Sequence, residues 1–187
     1  VGLAETGVLV RVGPTIASSE QPTFAFSASL DAIRQGPSGG SNLFLVRPLD
    51  EQVFATMLEF VCTDLRRRLG GGDVGLALDL PATDLGPRLE MLADRVLRRE
   101  RCAVVAAVGS GAGAETDAGA RAQAVIGSNA DVVVSANDAP AAAGLVNELR
   151  RQGSTTSVVG GPGLAAAVDA GLVEDLEDVW ATRACVP

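Results

Sequence analysis

The chain has 187 residues, of which 47% are apolar and 20% charged, and its mean hydropathy is +0.27. This composition excludes an intrinsically disordered chain, and the longest apolar run, residues 102–108, is too short for a membrane-spanning helix. The formal charge is −8, from 15 basic and 23 acidic residues, which opposes binding to the phosphate backbone of a nucleic acid.

The residue types that much enzyme chemistry needs are missing. Every basic residue is Arg, and the chain has no Lys, His or Tyr. Schiff-base formation, histidine acid–base catalysis, His-containing metal sites and tyrosine phenol chemistry are therefore excluded. The chain therefore offers few catalytic groups, and we expect neither a cofactor nor a metal ion.

Three cysteines, Cys62, Cys102 and Cys185, show no CxxC spacing, so neither a zinc knuckle nor a disulfide scaffold is predicted. Cys62 falls on the buried side of a predicted helix and is expected to be a small core residue rather than a nucleophile. Cys102 and Cys185 fall at predicted strand ends, where a disulfide between them would suit an exported protein. The sequence allows one bridge at most and does not decide whether it forms.

From residue 42 onward, short β-rich apolar runs alternate with amphipathic stretches, as in repeated βαβ units. The predicted strands are 43–47, 74–80, 102–108, 131–135, 156–159 and 179–185. The middle four are almost continuously apolar, which indicates strands covered by helices on both faces. The fold class is therefore α/β, with a doubly wound parallel sheet.

The predicted helices are 50–69, 87–99, 116–126 and 140–152. Asp50 is a natural N-cap for the first of them. One stripe of that helix is apolar, formed by Val53, Met57, Val61 and Leu65.

Residues 1–41 have a different pattern. A glycine-interrupted segment at 2–19 and a short strand at 23–26 precede a linker at 35–41 that is rich in Gly, Pro and Ser. We place a domain boundary there, with a partial first domain at 1–41 and an α/β domain at 42–187.

The glycine-rich loop 109–114 is similar to a dinucleotide-binding fingerprint, with Asp138 beyond the next strand. Glu115 and Asp117 would place negative charge beside a pyrophosphate, and the loop follows the third predicted strand of the domain rather than the first. A plain linker is favoured. A cytoplasmic Rossmann-like subunit of an enzyme that binds a nucleotide or cofactor stays as the alternative.

Polar residues cluster where several predicted strands end, which is the usual ligand position in an open α/β sheet. They are Asp79, Ser135, Asn137, Asp138, Gly160, Gly161 and Pro162. Asp138 precedes Pro140 at a helix start, so it is as well suited to cap the helix as to contact a ligand. Near the N-terminus, the Ser27–Ala28–Ser29 segment lines a polar cleft or caps a helix, and its spacing does not decide which.

Five segments in chain order resemble the type I periplasmic solute-binding proteins of the branched-chain amino acid receptor family. They are VGLAETG at 1–7, QPTFAFSAS at 21–29, NLFLVRPLDEQ at 42–52, and residues 131–153 and 177–187. The third is the most specific, since it resembles the family's crossover into the second lobe. Each motif is weak alone, and their common order carries the resemblance.

The resemblance implies two parallel α/β lobes that close on a small polar ligand without catalysis. In the first lobe, hydroxyls and backbone amides would hold a ligand carboxylate, at Thr6, Gly7, Ser27, Ala28 and Ser29. The second lobe would contribute Thr83, the 135–138 loop and the turn at Gly161 and Pro162. The family places an aromatic residue near Thr83 and an acid near Pro162, and this chain has neither. An amino acid and a small carboxylate both remain candidate ligands, with Asp138 as the replacement acid.

The resemblance also implies an extracellular or periplasmic location, with the export signal outside this chain, and a membrane permease or sensor as partner. Further βα units would precede Val1, and a return into the first lobe would follow Pro187. A structural α/β scaffold without a ligand is a third hypothesis.

Overall fold

A computed structural model describes residues 2–3, 15, 23–25, 43–45, 50–98, 101–109 and 117–182. The chain divides into a unit of Val1–Gln52 with Ala184–Pro187 and a second unit of Val53–Arg183. Among the described residues of the first unit, three short parallel strands form one sheet in the order β1-β2-β3. These strands are β1 (Gly2–Leu3), β2 (Thr23–Ala25) and β3 (Leu43–Leu45).

The sheet that contains β3 differs from the prediction. The sequence placed residues 43–47 as the opening strand of the domain that starts at residue 42. Leu43–Leu45 pairs in parallel with Thr23–Ala25 and therefore lies in the smaller sheet. A short apolar run fits either sheet equally well, so strand pairing between distant residues, and not local pattern, decides its place.

One long helix, α1, leads into the second unit. It is α-helical over Asp50–Phe60, π-helical over Val61–Leu65 and α-helical again over Arg66–Arg68. Its buried residues are Phe54, Met57, Leu58, Val61, Cys62 and Leu65. Gly70 and Gly71 end the helix with φ of +101° and +77°, a conformation that residues with a side chain rarely adopt.

The second unit contains a five-stranded parallel sheet in the order β5-β4-β6-β7-β8. The strands are β4 (Val74–Asp79), β5 (Cys102–Val108), β6 (Val132–Ser135), β7 (Ser157–Gly160) and β8 (Val179–Ala181). Four further helices connect them: α2 (Leu85–Leu97), α3 (Ala118–Gly127), α4 (Ala139–Arg151) and α5 (Pro162–Asp169). The predicted doubly wound parallel α/β sheet is confirmed, with α2, α3 and α4 shifted by one or two residues at their ends.

Alternating residues of the central strands fill two cores, one on each face of the sheet. Leu76 and Leu78 of β4 pack with Phe54 of α1 on one face. Ala77 packs with Leu145 of α4 on the other. Each buried leucine stabilises the fold by about 2 kcal/mol, so the two cores rather than the short loops hold the unit together.

The strand β5 lies at an edge of the sheet, although its apolar sequence predicted a strand covered on both faces. Ala103, Val105 and Ala107 are exposed, and 46% of Val105 is accessible to solvent. Small apolar residues are compatible with both positions, so composition did not distinguish an edge strand from a central one.

A disulfide joins Cys62 of α1 to Cys102, the first residue of β5, with the two Cα atoms 5.9 Å apart. The expected burial of Cys62 is confirmed, but the candidate bridge from Cys102 to Cys185 is wrong. Local spacing did not reveal that α1 packs across the sheet at the start of β5. Cys185 lies outside the described residues. No helix in the described part of the chain is long and apolar enough to span a membrane.

Candidate functional site

The carboxyl ends of the central strands lie side by side, as the sequence analysis expected. Asp79 at the end of β4 is in register with Ser135 at the end of β6, and Ser135 is in register with Gly160 at the end of β7. We call this end of the second sheet the carboxyl edge. The segment 135–141, which joins β6 to α4, is called the edge loop.

Asp79 is completely buried at this edge. Its Oδ2 accepts a hydrogen bond of 2.7 Å from the Ser135 hydroxyl, and its Oδ1 accepts one from Nη1 of Arg121. Burial raises the pKa of the Asp79 carboxyl, and the Arg121 charge and the surrounding hydrogen bonds lower it by less, so the pKa lies above 3.8. Asp79 therefore bonds to Ser135 and Arg121 inside the protein, and neither Asp79 nor Ser135 is exposed to a ligand.

Sequence reasoning missed Arg121, which lies in α3 and is only 4% exposed. Its Nη2 donates to the carbonyl oxygen of Ala141 at 2.9 Å, while its Nε is buried without a hydrogen-bond partner. One signal was present in the sequence, because Arg121 is the single charged residue of the helix Ala118–Gly127.

Asp138 caps α4, which confirms the capping role that its sequence context offered. Its Oδ1 accepts a hydrogen bond of 3.1 Å from the backbone N–H of Ala141, and Pro140 lies in the first turn. The side chain is nevertheless exposed. Ligand contact by Asp138 stays a prediction.

Asn137 precedes this cap and is partly buried. Its amide lowers the pKa of Asp79. Its buried Nδ2 lies close to that carboxyl but makes no hydrogen bond of regular geometry.

The start of α5 packs directly on the edge loop. The Gly161 N–H donates to the carbonyl oxygen of Ser135 at 3.1 Å. Gly163 has no room for a side chain, because a Cβ there would overlap the carbonyl oxygen of Asn137. No side chain caps this helix. The Gly161 N–H is already bonded to Ser135 and Pro162 has no N–H, so the uncapped backbone N–H groups at this helix start are those of Gly163 and Leu164.

The remaining predicted site residues fall in two groups. Thr83 lies in the exposed turn between β4 and α2, and its Oγ1 accepts a hydrogen bond of 3.4 Å from the N–H of Leu85. The predicted contacts of the first lobe, Thr6, Gly7, Ser27, Ala28 and Ser29, lie outside the described residues.

Of the candidate dinucleotide loop 109–114, the structure describes only Gly109, and the next described residue is Asp117. Gly109 has φ of +76°, and a Cβ there would lie 2.5 Å from the Leu80 carbonyl oxygen, so the strand exit itself requires a glycine. Asp117 caps α3 by accepting a hydrogen bond of 2.9 Å from the Ala120 N–H. A pyrophosphate would have to replace this carboxylate at the helix start, which disfavours the alternative.

Other features in the described part of the chain give less support for a binding site. No group of three or more His, Cys, Asp or Glu side chains there has an arrangement that could hold a metal ion. A hollow of about 170 Å³ at the opposite end of the sheet is lined by Arg150, Ser154, Asp175 and neighbouring residues. It contains none of the predicted site residues.

Solved structures of solute-binding proteins share this fold over most of the chain. A branched-chain amino acid transporter substrate-binding protein from Streptococcus pneumoniae, solved with isoleucine, is 18% identical and matches 99% of this chain and 51% of its own, with a TM-score of 0.73. A leucine-binding protein from Thermotoga maritima is 16% identical and matches 91% and 46%, with a TM-score of 0.64. An ABC transporter solute-binding protein from R. palustris, solved with 4-hydroxybenzoate, is 19% identical and matches 87% and 42%, with a TM-score of 0.63.

No family model and no curated protein matches the sequence. The chain spans about half the length of the solved structures that it matches. At these identities the likeness concerns the fold, and it agrees with the parallel strand order of the second unit. The chain therefore has the type I periplasmic-binding fold that the order of its sequence motifs predicted.

Proposed function

We propose that the chain is part of a solute-binding protein that binds a small polar molecule without catalysing a reaction. The observation that carries the proposal is the match over 99% of the chain to a substrate-binding protein. The ends of β4, β6 and β7 lie side by side at the carboxyl edge, next to Asn137 and Asp138. In open α/β sheets this edge is where ligands bind.

The chemistry of the carboxyl edge supports binding rather than catalysis. Asn137 contributes an amide, Asp138 an exposed carboxylate, and the start of α5 contributes backbone N–H groups that no side chain caps. The solved relatives contain isoleucine or 4-hydroxybenzoate, both of which carry a carboxylate. We propose a ligand of this type, an amino acid or another small carboxylate. The predicted contacts at 6–7 and 27–29 would hold its carboxylate.

The disulfide between Cys62 and Cys102 supports a location outside the cytoplasm. Both cysteines are buried, at 1% and 8% exposure. Structural disulfides of this kind persist in the periplasm and outside the cell, because the cytosol keeps thiols reduced. Together with the transporter context of the solved structures, it favours a membrane permease or a membrane sensor as the partner.

A thermal-shift screen of the 187-residue chain tests the proposal. The panel contains aliphatic amino acids, 2-oxo acids, hydroxybenzoates, purines and dinucleotides. A ligand present at 100 times its Kd stabilises the folded state by about 2.7 kcal/mol, which raises Tm by roughly 5–10 °C. We expect such a shift from an amino acid or a carboxylate.

Two variants locate the binding site. Asn137→Ala removes a side chain at the carboxyl edge and should reduce the shift. Thr155→Ala removes an exposed side chain at the opposite end of the sheet and should leave the shift unchanged. A shift by a dinucleotide alone would support the enzyme-subunit alternative, and no shift across the panel would support a scaffold without a ligand.

A further inference from the structure

One buried ion pair fixes both ends of the edge loop. At the start of the loop, the Ser135 hydroxyl donates to Asp79 Oδ2 at 2.7 Å. At its end, Arg121 Nη2 donates to the Ala141 carbonyl oxygen at 2.9 Å. Arg121 Nη1 donates to Asp79 Oδ1 and joins the two attachments. The residues between them include the predicted ligand contacts of the edge loop.

The burial of this pair requires an explanation. Asp79 is 0% exposed and Arg121 4% exposed. Removing two charges from water is unfavourable, and apolar residues of similar volume often stabilise a core as well or better. Stability alone therefore gives no reason for an ion pair at this position.

The side-chain geometry is specific to arginine. A guanidinium presents donors in a rigid planar fork and can bond to two acceptors in different directions at once. Here one branch reaches Asp79 on β4 and the other reaches Ala141 in the first turn of α4. A lysine has the same charge but no fork, so it cannot make both connections in this geometry.

We propose that Arg121 and Asp79 are positioning residues that set the conformation of the edge loop and thereby the placement of Asn137 and Asp138. The consequence for ligand binding rests on the proposed function, whereas the consequence for the loop does not. The packing of α5 also restricts the edge loop. Gly163 lies against the Asn137 carbonyl, so the loop has no space to shift toward that helix.

A second arginine, partly buried and bonded to three backbone carbonyl oxygens, provides a matched control. Arg150, in α4, donates from Nη1 to the carbonyl oxygens of Ser154 at 2.8 Å and Thr156 at 3.1 Å. Its Nη2 donates to the Glu177 carbonyl oxygen at 2.7 Å. Like Arg121 it has a buried Nε without a partner, but its contacts lie at the opposite end of the sheet. Arg150→Lys therefore removes comparable hydrogen bonds from an arginine to the backbone and leaves the edge loop unchanged.

The experiment compares Arg121→Lys, Arg150→Lys, Asp79→Leu and the double variant Asp79→Leu/Arg121→Met with the unsubstituted chain. Amide hydrogen exchange is measured by mass spectrometry on peptides that cover 135–142 and 153–158. Stability is measured by urea unfolding with the fluorescence of the one tryptophan, Trp180. For Arg121→Lys we expect exchange in 135–142 to increase about tenfold or more. For Arg150→Lys we expect the increase in 153–158 instead.

The double variant separates positioning from stability. It leaves no unpaired buried charge, and only the Ser135 hydroxyl loses its acceptor, so we expect its urea midpoint to fall less than that of Asp79→Leu alone while exchange in 135–142 increases. The compound that shifts Tm in the screen should bind about tenfold more weakly to both Arg121 variants and normally to Arg150→Lys.

Unchanged exchange in 135–142 for Arg121→Lys would overturn the proposal, whether or not a ligand is known. The proposal would also be overturned if amide exchange increased evenly over the second unit, in proportion to the lost stability. Faster exchange with unchanged affinity would overturn the role in binding. If no compound binds, the proposed function fails, and the exchange measurements still decide the role of the pair in the loop.

Discussion

Cys62 and Cys102 connect the π-helical turn of α1 to the first residue of β5, across 40 residues of sequence. The link ties the helix that leads into the second unit to the edge strand of its sheet. Both side chains belong to the core between α1, α2 and the sheet. The disulfide therefore constrains the part of the sheet that has a partner strand on one side only.

We predict that replacing both cysteines, Cys62→Ala with Cys102→Ala, lowers the free energy of unfolding by about 3–4 kcal/mol. In the chain-entropy account, opening a closed loop of about 40 residues has an effect of this size. The measurement is urea unfolding followed by Trp180 fluorescence. Cys185→Ala is the control and should have little effect. A large loss of stability in that variant would instead support a bridge that involves Cys185.

Gly163→Ala should destabilise the second unit by about 2 kcal/mol, because overpacking forces the backbone to move. The added methyl group would overlap the Asn137 carbonyl oxygen, which belongs to the backbone and cannot rotate away. The matched control is Gly127→Ala in α3, where a Cβ meets nothing within 4 Å. That change should be neutral or slightly stabilising. Equal urea midpoints for the two variants would contradict the close contact between α5 and the edge loop.

The sequence predicted the carboxyl edge better than the connections behind it. Asp79 and Ser135 end apolar runs, and parallel pairing brings such ends together whatever the details of packing. The Arg121 contact depends on how α3 packs on the sheet, and the disulfide partner of Cys62 depends on how α1 crosses it. Local pattern shows that Arg121 is the one charged residue of its helix, but it identifies the partner of neither Arg121 nor Cys62.

The strand β3 shows the same limit. The run at 43–45 was recognised as a strand, but its sheet was misassigned because pairing with β2 is set by distant residues. Asp138 is the reverse case. The cap at α4 could be predicted from its own sequence context, since Asp followed by Pro in the first turn is a local signal.

Asp138 permits a test that separates helix capping from ligand contact. Asp138→Asn keeps a good N-cap and should change stability by no more than a few tenths of a kcal/mol, whereas Asp138→Ala should destabilise by about 1 kcal/mol. If the exposed carboxylate pairs with an ammonium group of the ligand, Asp138→Asn weakens binding of amino acids and leaves binding of carboxylates without an amino group unchanged. Calorimetric titration of one compound of each kind measures this. Equal affinities for Asp138→Asn and the unsubstituted chain would exclude the contact.

The Asp79 carboxyl predicts a pH dependence of stability with a definite sign. Because burial raises its pKa in the folded state above 3.8, the folded state holds the proton more tightly than the unfolded state does. The stability that follows from this is fully present below the unfolded-state pKa and is lost as pH rises through the folded-state pKa.

Comparison with Asp79→Asn, which does not titrate at this position, isolates the effect. The free energy of unfolding of the unsubstituted chain, minus that of Asp79→Asn, should decrease as pH rises above 3.8. Urea unfolding of both proteins between about pH 3 and pH 8, followed by Trp180 fluorescence, gives this difference directly. A difference that increases with pH would mean that the Arg121 charge outweighs burial and that the pKa of Asp79 is lowered. In that case the ion pair would stabilise the fold at neutral pH, and its retention would need no explanation beyond stability.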